Sequence, residues 1–134
     1  MKNLILLSFI FVFPLLSQAQ TFDKPERGAV IRMNDYSHKM QAGTSSSVET
    51  WLIKSKREQK REFGNLVSSQ PNGLKVSFEP KEGDLYLMTL EASNDIKPGS
   101  YTLMIKGSGK NAHKTRSTTF NVNVTSNKAG LAVN

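Results

Sequence analysis

The 134-residue chain contains no cysteine, so disulfide cross-links, thiol nucleophiles and cysteine-ligated metals are excluded. Histidine is nearly as scarce, because His38 and His113 are the only two and both lie in polar stretches without the spacing of a zinc motif. Without disulfides, stability must come from a hydrophobic core, which a domain of about 100 residues can form. These shortages leave few ways to build a catalytic centre.

Apolar runs of the length needed to cross a bilayer as a helix, about 20 residues, are also missing. The longest apolar run, residues 4–16, follows the basic start at Lys2 and precedes the small residues Ser17 and Ala19. This order is typical of a secretory signal peptide. We therefore expect a signal peptide at residues 1–19, followed by an exported mature protein with no transmembrane segment.

The sequence lacks the i, i+3, i+4, i+7 apolar stripe of an amphipathic helix. It has instead short runs of alternating or β-branched residues separated by turn residues, which is typical of all-β proteins. We predict an antiparallel two-sheet β-sandwich of about seven strands at 28–125, with a lead-in at 20–27 and a flexible tail at 126–134. The seven runs are residues 29–33, 48–53, 63–67, 74–78, 85–90, 101–105 and 118–124.

Segment 97–105 (KPGSYTLMI) carries the most informative pattern in the chain. Pro98 and Gly99 favour a tight turn before a strand, and the hydroxyl of Tyr101 can bond back to upstream backbone as a tyrosine corner. Together with the earlier alternating strands, this pattern resembles the bacterial immunoglobulin-like domains found as modules of exported and cell-surface proteins. The resemblance covers about residues 28–125 and implies an immunoglobulin-like sandwich.

The same segment also resembles the C-terminal sorting domains of the type IX secretion pathway, which are themselves small sandwiches. Those domains typically end on a Lys-led apolar strand, whereas about ten residues follow Val124 here. A sorting-domain-like secretion module is therefore kept as an alternative.

Motifs that carry chemistry are few. Glu79, Glu82 and Asp84 share a turn but lack a recognised calcium-loop pattern. Segment 107–110 (GSGK) is rich in glycine, yet a phosphate-binding loop would need a helix to follow it. A glycosylation sequon begins at Asn123 inside a predicted strand. We expect no enzymatic activity, no metal and no cofactor.

A surplus of apolar residues marks two strands predicted to be neighbours, 48–53 and 85–90. Because side chains alternate across a strand, one face of each strand enters the core and the other should still carry large apolar groups. A bulge, the tail or the lead-in could cover that face. The first hypothesis is a non-catalytic binding module or accessory subunit of a bacterial cell envelope, contacting a protein partner through this outer face. The predicted contact residues are Trp51, Ile53, Leu85 and Leu87.

Positive charge is in excess, with a formal net charge of +7. Five of the cations lie within segment 54–62, interrupted by Glu58 and Glu62. The alternative hypothesis is a surface protein that binds an acidic glycan or lipopolysaccharide through this segment. The absence of nearby aromatic residues argues against nucleic acid, and a merely solvated loop is the plainer interpretation. The candidate residues are Lys54, Lys56, Arg57, Lys60 and Arg61. Whether the protein stays in the periplasm, on the outer membrane or at the cell surface is left open.

Overall fold

The computed structural model describes residues 22–126. The predicted signal peptide and all but the first residue of the predicted tail therefore lie outside the described residues. Two short 3-10 turns, Lys56–Glu58 and Ala112–Lys114, accompany nine strands. The strands are β1 Ala29–Arg32, β2 Ser37–Gln41, β3 Ser45–Lys54, β4 Leu66–Ser68, β5 Leu74–Pro80, β6 Leu85–Ala92, β7 Gly99–Gly107, β8 Thr115–Arg116 and β9 Thr118–Thr125.

The strands form two sheets, in the orders β5-β6-β3-β1-β8 and β2-β9-β7-β4. The predicted all-β two-sheet sandwich is therefore confirmed, and the two strands expected to be neighbours, β3 and β6, pair from Ser45↔Glu91 to Trp51↔Leu85. Two pairings are parallel rather than antiparallel: β1 with β8 and β2 with β9. No helix within residues 22–126 has the length and apolar character required to span a membrane.

The core lies between the sheets and is formed by alternate residues of each strand. In β7 and β9 the alternation is regular, so that Leu103, Ile105, Phe120 and Val122 are completely or almost completely buried. The facing sheet contributes a second row of buried side chains to the same cluster, among them Ile31, Leu52, Val76, Met88 and Leu90.

The turn before β7 has the geometry expected of a tyrosine corner. β7 begins at Gly99, directly after Pro98, and Tyr101 is packed against the core. The Tyr101 hydroxyl donates a hydrogen bond to the carbonyl of Lys97. This bond ties the start of β7 to the connection that precedes it.

Strands β2 and β8 were not expected from the sequence, and β3 begins at Ser45 rather than near Val48. β2 buries only Met40, so its pattern shows no apolar alternation. β8 has two residues, neither of them apolar. These strands form because their backbones pair with β9 and β1, which local sequence does not reveal.

Candidate functional site

Two connections meet at one end of the sandwich: residues 54–65, between β3 and β4, and residues 107–117, between β7 and β9. They meet because β4 and β7 are antiparallel neighbours whose register places Leu66 opposite Gly107. We call the residues 54–62 and 106–116 together the basic end.

The two connections are fastened by direct hydrogen bonds. The carbonyl of Asn65 accepts from both the backbone N–H of Ser108, at 2.9 Å, and its hydroxyl, at 2.6 Å. The side-chain amide of Asn111 donates to the carbonyl of Glu62. Gly64 adopts a left-handed backbone with φ of 71°, and a Cβ there would lie 2.6 Å from the carbonyl oxygen of Ser108. The backbones approach so closely that the relative position of the connections is fixed.

A buried carboxylate links the connections electrostatically. Glu58 is only 7% exposed and lies in the first 3-10 turn. Its Oε2 accepts a hydrogen bond from Lys114 Nζ at 3.3 Å, across from the other connection. Its Oε1 lies 3.1 Å from Arg61 Nε, a contact that is an ion pair without hydrogen-bond geometry. Glu58 thus holds one cation from each connection.

The five cations predicted from segment 54–62 divide into two groups. Lys54 is half-buried: its ammonium donates to the carbonyl of Arg61 at 2.7 Å and lies 5.2 Å from the centre of the Phe63 ring. Arg61 is paired with Glu58 but keeps a side chain that is 57% exposed. The other three, Lys56, Arg57 and Lys60, are exposed and form no ion pair within residues 22–126.

The structure adds cations that the sequence interpretation had not connected with this segment. Residues 106–116 contribute Lys106, Lys110, Lys114 and Arg116, together with His113. The basic end therefore carries nine Lys and Arg residues against two Glu. The rest of residues 22–126 carries seven Lys and Arg against nine Asp and Glu. The charge surplus of the described protein is concentrated at this end.

A cleft of about 450 Å³ opens between the two connections. No aromatic side chain is among its lining residues, so stacking against a base or an uncharged sugar ring is not available there. Its volume falls within the range of small-molecule sites, about 300–1,000 Å³. The lining residues are Arg61, Glu62, Gly64, Lys110 and Asn111.

The apolar residues predicted to form an outer protein-binding face do share the face of the first sheet that points away from the core. They are not freely exposed, however. Ile53 is only 7% exposed, and Trp51, Leu85 and Leu87 are half-buried. The ring of Phe22, in the lead-in, packs against Trp51 with centroids 5.1 Å apart. The lead-in therefore covers part of this face, which is one of the alternatives that the sequence left open.

The other candidate residues are scattered. His38 is half-buried in β2, and His113 is exposed in the second 3-10 turn. Glu79 pairs with Lys81 at 3.3 Å. Among residues 22–126 there is no group of three His, Asp or Glu side chains placed to hold a metal ion.

One ionisable group near the cleft is perturbed. The Tyr86 hydroxyl donates to the carbonyl of Gly64 at 2.8 Å. Burial, and secondarily the charge of Asp84, raise the pKa of Tyr86 above its ordinary value. The neutral phenol is therefore favoured, which suits a structural donor beneath the Gly64 turn.

No protein-family model matches the chain, and no curated protein matches it. Solved structures do. Domains 4 and 5 of the S-layer protein SbsC match 72% of this chain with 19% identity and a TM-score of 0.51. The SrpA adhesin from Streptococcus sanguinis matches 84% with 10% identity and a TM-score of 0.55. This chain spans 44% of the first structure and 63% of the second. At these identities the likeness defines the fold, and it agrees with the predicted resemblance: the chain is an immunoglobulin-like β-sandwich.

Proposed function

We propose that this protein is a non-catalytic binding module of the bacterial cell surface or envelope, and that its basic end binds an anionic polysaccharide. One observation carries the proposal: nine of the 16 Lys and Arg residues within 22–126 lie in the two adjoining segments 54–62 and 106–116, which contain two carboxylates. The turn between β5 and β6 brings two more carboxylates, Glu82 and Asp84, to the same end of the sandwich. Cations gathered on one surface attract a polyanion and gain further affinity when it releases its counterions.

The location rests on two supports. The signal peptide expected at residues 1–19 would direct export. The S-layer protein and the adhesin that share the fold are, by their names, surface proteins. Fold likeness alone does not fix function, so the ligand class is argued from the site.

A polysaccharide is favoured over single-stranded nucleic acid by the chemistry of the basic end. Proteins that bind single-stranded nucleic acid combine cations with exposed aromatic rings for base stacking. Phe63, which follows the first segment of the basic end, is buried, and no aromatic residue lines the cleft. Charge without stacking suits a polymer of carboxylated, sulfated or phosphorylated sugars.

The proposal is tested with two variants that remove equal charge at different places. One carries Lys56→Gln, Lys60→Gln and Lys106→Gln at the basic end; the other carries Lys39→Gln, Lys75→Gln and Lys97→Gln elsewhere. All six lysines are exposed, so folding should be unaffected. Binding to immobilised heparin is measured between about 0.05 and 0.5 M NaCl.

We expect the basic-end variant to elute at lower salt and to show a shallower salt dependence, whereas the matched variant behaves like the wild type. Equal weakening of both variants would mean that net charge alone drives binding and would contradict a localised site.

The outer apolar face remains a proposal for a protein partner, and the packing of Phe22 on Trp51 counts against it. A partner would have to displace the lead-in or use the half-buried remainder around Leu85 and Leu87. This second function would be favoured if the wild-type protein captured a partner, the complex survived washing at high salt, and the Leu87→Ser variant captured none.

A further inference from the structure

Resting on the proposed function, we propose that the cleft between the two connections is a dedicated subsite for one oxyanion group of the polysaccharide. Arg61 and Lys110 are its contact residues, and Glu58 is a positioning residue for Arg61. The oxyanion is a carboxylate, sulfate or phosphate carried on a sugar. The cations outside the cleft then supply general attraction, and the cleft supplies recognition.

The first support is that residues from both connections line one cleft. Arg61 comes from residues 54–65 and Lys110 from residues 107–117, and both line the same cavity of about 450 Å³. Asn111 also lines it, but its amide already donates to the carbonyl of Glu62. The second N–H of that amide and the two cations are the side-chain donors that remain for a ligand, and Glu62 is the one carboxylate among the lining residues. A guanidinium and an ammonium facing one space match an oxyanion by charge and by hydrogen-bond donors.

The second support is that the cleft is preorganised. The contact of Gly64 with Ser108 and the hydrogen bonds to Asn65 fix its base. The Tyr86 hydroxyl holds the carbonyl of Gly64 from below. A site whose shape exists before binding loses less conformational entropy when a ligand enters.

The third support is the way in which Arg61 is held. Glu58, at 7% exposure, lies 3.1 Å from the Nε atom, while 57% of the Arg61 side chain is exposed. The guanidinium is thus restrained at Nε, with much of its surface still presented to solvent. Glu58 also holds Lys114, which keeps the second connection against the first.

The experiment compares two double variants that remove one Arg and one Lys each. Arg61→Gln with Lys110→Gln changes the cleft; Lys56→Gln with Arg57→Gln removes the same charge from exposed positions outside its lining. Calorimetric titration uses three probes: a sulfated heparin tetrasaccharide, an oligogalacturonate of similar length and inorganic phosphate. The sugar probes distinguish sulfate from carboxylate, and phosphate tests a free anion.

We expect the cleft variant to bind at least one sugar probe about tenfold or more weakly, as loss of two charge-assisted contacts implies, and the matched variant to change only about twofold. Equal weakening of both would overturn the cleft and leave the general polyanion proposal standing. Failure of the wild-type protein to bind any polyanion would overturn both. Binding of phosphate alone would overturn the saccharide subsite.

Glu58 is tested by Glu58→Gln, with circular dichroism to check folding. The substitution makes the protein more positive, so simple electrostatics predicts tighter binding to every polyanion. A positioning role predicts instead that heparin elution shifts to higher salt while affinity for the tetrasaccharide falls severalfold. Tighter binding of both probes would exclude the positioning role.

Discussion

Single tyrosines fasten this cysteine-free sandwich at two places. Tyr101 bonds to the carbonyl of Lys97 at the start of β7, and Tyr86 bonds to the carbonyl of Gly64 below the cleft. Each phenol crosses from a strand to a connection, with its ring packed against the core. Removing the oxygen alone isolates the bond from the packing of the ring.

Tyr101→Phe should lower the free energy of unfolding by about 1 kcal/mol, the usual net value of one hydrogen bond. The ring and its contacts with the core are retained, so the change reports on the corner bond. Urea denaturation monitored by circular dichroism measures it. Unchanged stability would show that solvent replaces the bond without cost.

Tyr86 makes the free energy of unfolding depend on pH in the alkaline range. Its pKa in the folded protein is raised above the value of 10.0 by burial and then by Asp84, so above pH 10 the unfolded chain loses this proton first. The stability contributed by the neutral phenol is complete below pH 10 and is lost as pH rises through the folded pKa.

Tyr86→Phe should therefore show a smaller decline in unfolding free energy than the wild type between about pH 9 and 11. Urea denaturation at intervals across this range gives the two curves. Parallel curves would place the alkaline sensitivity at another group.

Gly64 and Gly83 have similar left-handed backbones, but only Gly64 contacts another segment of the chain. Comparing their substitutions therefore separates backbone strain from contact between the two connections of the basic end. Gly64 has φ of 71° and a Cβ would lie 2.6 Å from the Ser108 carbonyl oxygen; Gly83 has φ of 64° with nothing within 4 Å. Both Gly→Ala changes incur the left-handed strain of about 1–2 kcal/mol. Gly64→Ala should destabilise by about 1–3 kcal/mol more, because the two backbones must move apart. Thermal unfolding of both variants gives the difference, and equal losses would mean that the connections separate freely.

The lead-in is tested through the single tryptophan of the chain. Phe22→Ala removes the ring that packs on Trp51, so tryptophan emission should shift to longer wavelength as water reaches the indole. The loss of an aromatic pair should cost about 0.5–1.5 kcal/mol beyond the lost burial. Lys24→Ala, in the same exposed segment, serves as the control and should leave the emission unchanged. A spectrum insensitive to Phe22→Ala would show that the lead-in does not cover the face in solution.

Prediction from the sequence succeeded where side-chain pattern determines structure. The alternation of Leu103 and Ile105, and of Phe120 and Val122, predicted β7 and β9. The two-sheet architecture was predicted from seven strand-like runs without a helical stripe. It failed for β2, which is defined by backbone pairing with β9. It also gave only half of the basic end, because Lys110 and Lys114 are about 50 residues from Arg61 in sequence and reach it only through the pairing of β4 with β7. The alternation of side chains along β3 carries no information about the lead-in, whose Phe22 packs on Trp51.

The described part of the protein, residues 22–126, is electrically asymmetric, with a strongly basic end and a slightly acidic remainder. Like charges held close together repel, and the repulsion is relieved by salt or by a bound polyanion. This concentration of positive charge reduces the stability of the free protein.

Addition of about 0.5 M NaCl should therefore raise the midpoint of thermal unfolding of the wild-type protein. The variant Lys56→Gln, Lys60→Gln and Lys106→Gln should start from a higher midpoint and gain less from salt, while Lys39→Gln, Lys75→Gln and Lys97→Gln should respond like the wild type. Scanning calorimetry at two salt concentrations makes the comparison. A salt response equal in all three proteins would assign it to general solvation.

The parallel pairing of β2 with β9 has a mechanical consequence. The chain enters β2 at Ser37, opposite Asn121, and leaves β9 at Thr125, opposite Gln41. A tensile force applied before Ser37 and after Thr125 pulls the two strands past each other along their own axes. Their hydrogen bonds are then loaded together in shear instead of being peeled open one at a time. A module tethered before Ser37 and loaded after Thr125 would resist extension through this five-residue ladder.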